Sequence, residues 1–246
     1  MNKGKVITVY PIVAGNGAKF IATNMAHVYK RQNPNEKVIL VDLNLKHPFL
    51  AESLTAFDEI HGVDNLVDKI DGNMLTNELF MENMVSTKGN VDVLKGTKML
   101  GKYKVLNPTH VTTILDFART LYDVVFVAVA SESDNAGTVV GLFESDEIVM
   151  VARQNQASLK MIYQALDIVN QYKQTENSIK LVYNYYQSTG LDVSEVVKAY
   201  QMEVLGLVEY DVQATDNLDL LTTTSSKFFK QRNVNNEVLL NMVKKL

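Results

Sequence analysis

The chain contains no cysteine. A disulfide framework, a thiolate metal site and a cysteine nucleophile are therefore excluded. Long hydrophobic runs are lacking too: none approaches the ~18–20 apolar residues of a membrane-crossing helix. Met1 to Lys5 leads straight into a strand pattern without the apolar core of a signal peptide. The expected location is the cytoplasm. Neither sign of charge dominates, since 24 Lys and Arg stand against 28 Asp and Glu, a net −4. Sequence-independent DNA binding needs a clustered cationic face, so direct DNA binding is not expected. The four histidines, His27, His47, His61 and His110, show no metal-ligand spacing, and surface or loop roles are expected for them. There is no repeat, low-complexity tract or linker, and 246 residues at 46% hydrophobic suffice for one α/β domain spanning 1–246.

What is present is an alternation of apolar runs with helical patterns. Val6–Tyr10, Val38–Val41, Val91–Leu94, Val124–Ala130, Ile148–Ala152, Ile179–Tyr183 and Val204–Val208 read as strands. Several are uninterrupted and rich in β-branched residues, as parallel strands covered on both faces are. Helical spacing marks Phe20–Arg31, Val63–Ile70, Met74–Met84, Pro108–Leu121, Ser158–Tyr172, Asp192–Tyr200, Leu218–Thr224 and Val234–Leu246. Lys46–Gly62, Gly96–Lys104 and Ser131–Asn135 read as loops. This order predicts a three-layer α/β/α fold around a doubly wound, mainly parallel sheet.

Between Lys5 and Asn44 the layout is strand, glycine-bearing turn, helix, strand, acid. The turn is Val13-Ala14-Gly15-Asn16-Gly17-Ala18-Lys19, and the acid is Asp42. That is the order of a phosphate-binding βαβ unit, in which main-chain amides at a helix N-terminus cradle an anion. Glycine turns before helices also serve to pack helix against strand, so both readings of Gly15 to Ala18 stay open.

The turn, with Asn24 and Ala26 in the helix behind it, resembles the deviant Walker A motif of the ParA/MinD group of P-loop ATPases. Asp42-Leu43-Asn44-Leu45-Lys46-His47-Pro48 is similar to the group's second acidic motif. Its wording lies nearest the bacterial tyrosine kinases and the TadZ/CpaE proteins of pilus and secretion machines. Tyr122 to Ala128, Ser145 to Val151, Tyr183-Asn184 and Val204 to Val208 resemble the group's later landmarks, so the likeness runs over nearly the whole chain. A tyrosine-kinase activity does not follow, because that family modifies a C-terminal tyrosine cluster and no tyrosine follows Tyr210.

The resemblance implies a nucleotide site, and it also shows what has changed there. The phosphate-binding lysine corresponds to Ala18, the Mg²⁺-binding hydroxyl to Lys19, and the lysine that reaches a dimer partner to Val13. The first switch acid is kept as Asp42. The second is Asn44, and the Walker B aspartate is Ala128. Loss of one such electrostatic contact typically slows phosphoryl transfer by two or more orders of magnitude. Hydrolysis is accordingly not expected. The candidate nucleotide-binding set is Gly15, Asn16, Gly17, Ala18, Lys19, Phe20, Asp42 and Asn184, the last corresponding to a family asparagine that contacts adenine. ATP or ADP would bind there without the usual Mg²⁺ coordination. Lys19 lies one residue beyond the usual lysine: it is either a solvated first-turn side chain or a displaced phosphate ligand. Asp42 is either a cation ligand or a loop anchor, Asp134 a loop cap, and Tyr183, Tyr185 and Tyr186 packing residues.

The leading expectation is a non-hydrolysing positioning module for a secretion, pilus or conjugation machine. The alternative is a slow partition- or division-type ATPase using Lys19. The group's habits imply a homodimer, or a pair with an active paralogue or other protein partner. Val234 to Leu246 is amphipathic. It either docks on the sheet or binds the inner face of the membrane, where Lys244 and Lys245 give only a small electrostatic contribution.

Overall fold

The computed structural model describes residues 3–48, 50, 54, 61–98, 105–172, 179–210 and 234–246. The expected helix over Leu218–Thr224 lies outside these residues. Eight strands form one sheet in the order β3-β4-β2-β5-β1-β6-β7-β8. They are β1 (Lys5–Pro11), β2 (Val38–Leu43), β3 (Val85–Ser86), β4 (Asp92–Leu94), β5 (Val124–Val129), β6 (Glu147–Arg153), β7 (Ile179–Tyr186) and β8 (Glu203–Glu209). Every pairing is parallel except β3 with β4.

Strand alternation sorts the core into two layers. Val125, Val127 and Val129 of β5 face one apolar cluster, while Val124, Phe126 and Ala128 face the other. On the first face lie α2 (Asp64–Asp71), α3 (Asn77–Met81), α4 (Pro108–Leu121), α5 (Ala136–Phe143), α6 (Gln156–Tyr172) and α7 (Ser194–Tyr200). On the second lie α1 (Ala18–Gln32) and α8 (Val234–Lys244). The three-layer α/β/α architecture is as the sequence predicts. Both faces of β1, β2 and β5 are sealed by helices, which is why these strands carry no apolar–polar alternation.

Some boundaries differ for local reasons. The helical pattern over Met74–Met84 yields only α3, capped by the Thr76 hydroxyl, which accepts from Leu79 N at 3.3 Å. The chain then turns into β3. Helix α5 is absent from the sequence reading because its two glycines weaken the helical signal. Both are required by contact: a Cβ on Gly137 would lie 2.3 Å from the Leu43 carbonyl oxygen. One on Gly141 would lie 2.8 Å from a Val129 methyl. The C-terminal pattern forms α8, whose Leu239, Met242 and Val243 are buried against β8 and α1.

Candidate nucleotide site

The C-terminal ends of β1, β2, β5 and β7 converge on one cavity of about 290 Å³. In an open parallel sheet ligands bind at this edge. Its walls include Gly15, Gly17, Lys19, Asn44, Glu132 and Asn184. The floor is the turn from β1 into α1. Gly15 and Gly17 both adopt left-handed backbone, with φ of 85° and 88°, which a side chain would strain. Gly17 is the N-cap of α1 and brings no capping side chain, and the first turn holds no acid. A helix start without a cap leaves its first amides to another acceptor. Here Gly17, Ala18, Lys19 and Phe20 line the cavity.

Asn16 does not line the cavity. It is 2% exposed and turned inward. Its Nδ2 donates to the Val151 carbonyl at 3.1 Å, and its Oδ1 accepts from Ser158 Oγ at 3.0 Å. Asn184 donates from Nδ2 to the Asn16 carbonyl at 3.0 Å. Val13 packs partly buried against the first core cluster.

Ala18 and Ala128 lie in the same apolar cluster as Phe20, all on the α1 side of the sheet. Ala128 is wholly buried and pairs in register with Asp42. Asp42 is fully buried: its Oδ1 accepts from Asn44 N at 3.1 Å and its Oδ2 from Leu50 N at 3.0 Å. It anchors the segment after β2 and does not line the cavity. Asn44 in turn accepts from His47 N at 3.0 Å through Oδ1, closing a tight turn.

Lys19 does line the cavity, and its ammonium donates to the His47 carbonyl across the mouth. A cation in a first helical turn is opposed by the macrodipole, by roughly 0.3–1 kcal/mol. An anion over the turn would reverse that sign. Beside it, Lys46 pairs with Asp134 at 2.7 Å, and that hydrogen bond holds the Asp134 carboxyl below its usual range. Asp134 therefore ties the loop after β5 to the loop after β2, while the cap of α5 is Asn135.

The Mg²⁺ that the resemblance implies would find a poor set of donors. Lys19 stands at the hydroxyl position, Ala128 offers no oxygen, and both Asp42 oxygens accept backbone amides. Among the described residues no group of three or more His, Asp or Glu side chains is disposed to hold a metal. The cavity itself does fit an anionic ligand, having uncapped amides and a lysine at its rim.

Two of the four histidines depart from the surface or loop roles expected, while His47 is exposed in a loop and His61 lies part-exposed in one. His27 is buried, with Nδ1 donating to Thr23 O at 2.9 Å and Nε2 3.0 Å from Thr87 Oγ1. His110 is buried in a capping box with Asn107, and its Nε2 donates to Asp71 at 2.8 Å. A helix or turn whose buried amides need partners can use imidazole, and spacing alone does not show this. Tyr183 is packing as expected. Tyr185 is different: with φ of 56° at a β7 irregularity, its ring meets Tyr210 at 5.5 Å. The Arg153 guanidinium lies 4.4 Å from its centre.

The structure superposes on several solved proteins over nearly its full length. A ParA family ATPase from Chlorobium tepidum matches with a TM-score of 0.83 and 19% identity, covering 99% of each chain. This is the ParA/MinD fold. The septum site-determining protein MinD of Pyrococcus horikoshii, complexed with Mg-ADP, shares it at a TM-score of 0.76 and 14% identity. That match covers 98% of this chain and 95% of the other. A plasmid partition protein of Borrelia burgdorferi bound to AMPPNP does so at 0.62 and 17%, over 99% of this chain and 100% of the other. The sequence matches no family model and no curated protein. At these identities the ParA/MinD likeness is one of fold. Among the described residues no helix is long and apolar enough to cross a membrane.

Proposed function

We propose that this chain is a ParA/MinD-like nucleotide-binding module that holds an adenine nucleotide without a Mg²⁺ requirement. The observation that carries the reading is the open cavity over the Gly15–Lys19 turn, with the Lys19 ammonium at its mouth. Two neighbours of the same fold carry AMPPNP and Mg-ADP. The main-chain amides of the turn would receive the phosphate oxygens, and Lys19 would leave the His47 carbonyl to neutralise them. Magnesium has no such support, because the side chains at its positions are Lys19 and Ala128.

Turnover is the second reading, favoured by the same placement of Lys19. A displaced lysine supplies charge, but Asn44 and Ala128 supply neither the switch acid nor the metal-shell acid. Any hydrolysis by this site would be slow, since losing one such contact typically costs two or more orders of magnitude and further losses compound without adding. As a module for positioning a partner, the chain would act through a nucleotide-dependent pair of copies or a pair with an active relative. The proteins of this fold named above serve septum placement and plasmid partition. A secretion or pilus role rests on the wording of the Asp42–Pro48 segment alone.

Isothermal titration with ATP and ADP, each in Mg²⁺ and in EDTA, tests the binding. Equal affinities in both media support the reading. No heat with either nucleotide would end it.

A further inference from the structure

The resemblance assigns Asn184 to the adenine base, but the hydrogen bonds of its side chain lead elsewhere. Asn184 ends the buried part of β7, where the residue is 4% exposed. Its Nδ2 donates to the Asn16 main-chain oxygen at 3.0 Å. The orientation is fixed by chemistry, since a carbonyl accepts only from the amide nitrogen. The same side chain fills the space beside Gly17, where a Cβ would lie 2.1 Å from Nδ2. Asn184 is thus committed to the turn that forms the cavity floor.

Asn16 carries the constraint onward. Its own amide spans β6 and α6 through Val151 O and Ser158 Oγ. Ser158 N is capped by Asn155 Oδ1 at 2.8 Å, so the far end of the chain is itself anchored. One residue of the turn is therefore held by β6, α6 and β7 together. The residues on either side, Gly15 and Gly17, are the two in left-handed backbone. A turn with two such glycines has many alternative shapes open to it, and holding its centre selects one.

We propose that Asn184 is a positioning residue for the phosphate-binding turn: with Asn16 and Ser158 it holds Gly15–Lys19 in the anion-binding shape, and it acts on the phosphate end of a ligand rather than the base. This rests on the reading that the cavity takes a nucleotide. A brace lowers the population of incompetent turn shapes, so removing it weakens every ligand that uses the turn by the same factor. A base contact would weaken only ligands that carry a base.

The test compares ATP with inorganic tripolyphosphate, which has no base, on the full chain and on Asn184→Ala and Ser158→Ala. Ser158 is buried and does not line the cavity, so its loss removes one tie of the brace without touching ligand. The expected result is a loss of roughly tenfold for Asn184→Ala, equal for the two ligands, as one buried hydrogen bond warrants. A smaller equal loss is expected for Ser158→Ala. Hydrogen exchange of the Gly15–Lys19 amides in the ligand-free variants should be faster than in the parent. Loss of ATP affinity alone in Asn184→Ala would make Asn184 a base contact and overturn the proposal. So would unchanged exchange in both variants. If the parent chain bound neither probe, the nucleotide reading would fall, and the exchange arm would still decide the brace.

Discussion

At Gly17 two constraints meet, a φ of 88° and the Asn184 carboxamide where a Cβ would sit. At Gly15 only the backbone constrains, since no heavy atom lies within 4 Å of a Cβ there. Left-handed backbone costs an ordinary residue about 1–2 kcal/mol. Gly15→Ala should therefore lose about 1–2 kcal/mol in urea denaturation. Gly17→Ala should lose more, on the order of 2–4 kcal/mol, because a buried hydrogen bond breaks as well. Equal losses would show that the turn is not packed against β7. Both glycines were legible in the sequence, as were the small residues Ala18 and Ala128 at positions where the ParA/MinD resemblance implies charge. Asn16 was not legible as a buried brace, because no local pattern distinguishes an inward from an outward asparagine in a turn. The partners of Asn16 lie 135, 142 and 168 residues away. The burial of His27 and His110 is illegible for the same reason: their partners Thr87 and Asp71 lie far along the chain, 60 and 39 residues away.

The segment after β2 is held by Asp42 beneath, by Lys19 across the cavity and by the Lys46–Asp134 pair at its side. Lys19→Met should remove one of these ties and the rim cation together. The expected outcome is a tenfold or greater loss of nucleotide affinity, with faster amide exchange over Asn44–Pro48 and little change in global stability. Unaltered affinity would make Lys19 a tether for this loop and nothing more. Helix α8 raises the other question of an element's role. Its Leu239 and Met242 have no exposed surface, and Gly206 of β8 lies directly beneath Met242. Leu239→Ala should cost about 2–5 kcal/mol, as buried leucines do. The buried face of α8 is occupied by β8 and α1, so the full chain is expected not to pellet with anionic liposomes. The helical stripe was visible in the sequence. Which surface it covers was not, because a docked and a membrane-lying helix share the same pattern.

The sheet order follows from buried, β-branched runs, and these were readable one strand at a time. Their neighbours depend on tertiary pairing, and the short antiparallel β3 carried no signal of its own. Burial across this sheet has a measurable consequence at high pH. Desolvation pushes the Tyr10 phenol up to about 12 and does the same for Tyr183. Tyr29 and Tyr122 are raised further by burial and by Glu36 and Asp92. An unfolded tyrosine titrates near 10, so above that pH the unfolded chain has lost protons that the native chain keeps. Stability is then fully present below about pH 10 and falls as the pH rises from 10 toward 12, by at most about 1.4 kcal/mol per pH unit for each of the fully buried Tyr10 and Tyr183. Denaturation curves across this window, with phenolate absorbance in parallel, check it. A flat stability profile would contradict the burial.

The proposed nucleotide binding uses main-chain amides and Lys19, without the metal acids that the resemblance places at Asn44 and Ala128. Calorimetric titration of ATP with Mg²⁺ and again with EDTA measures it most directly. Saturable binding with the same affinity in both is the predicted result; binding that requires Mg²⁺ would contradict it.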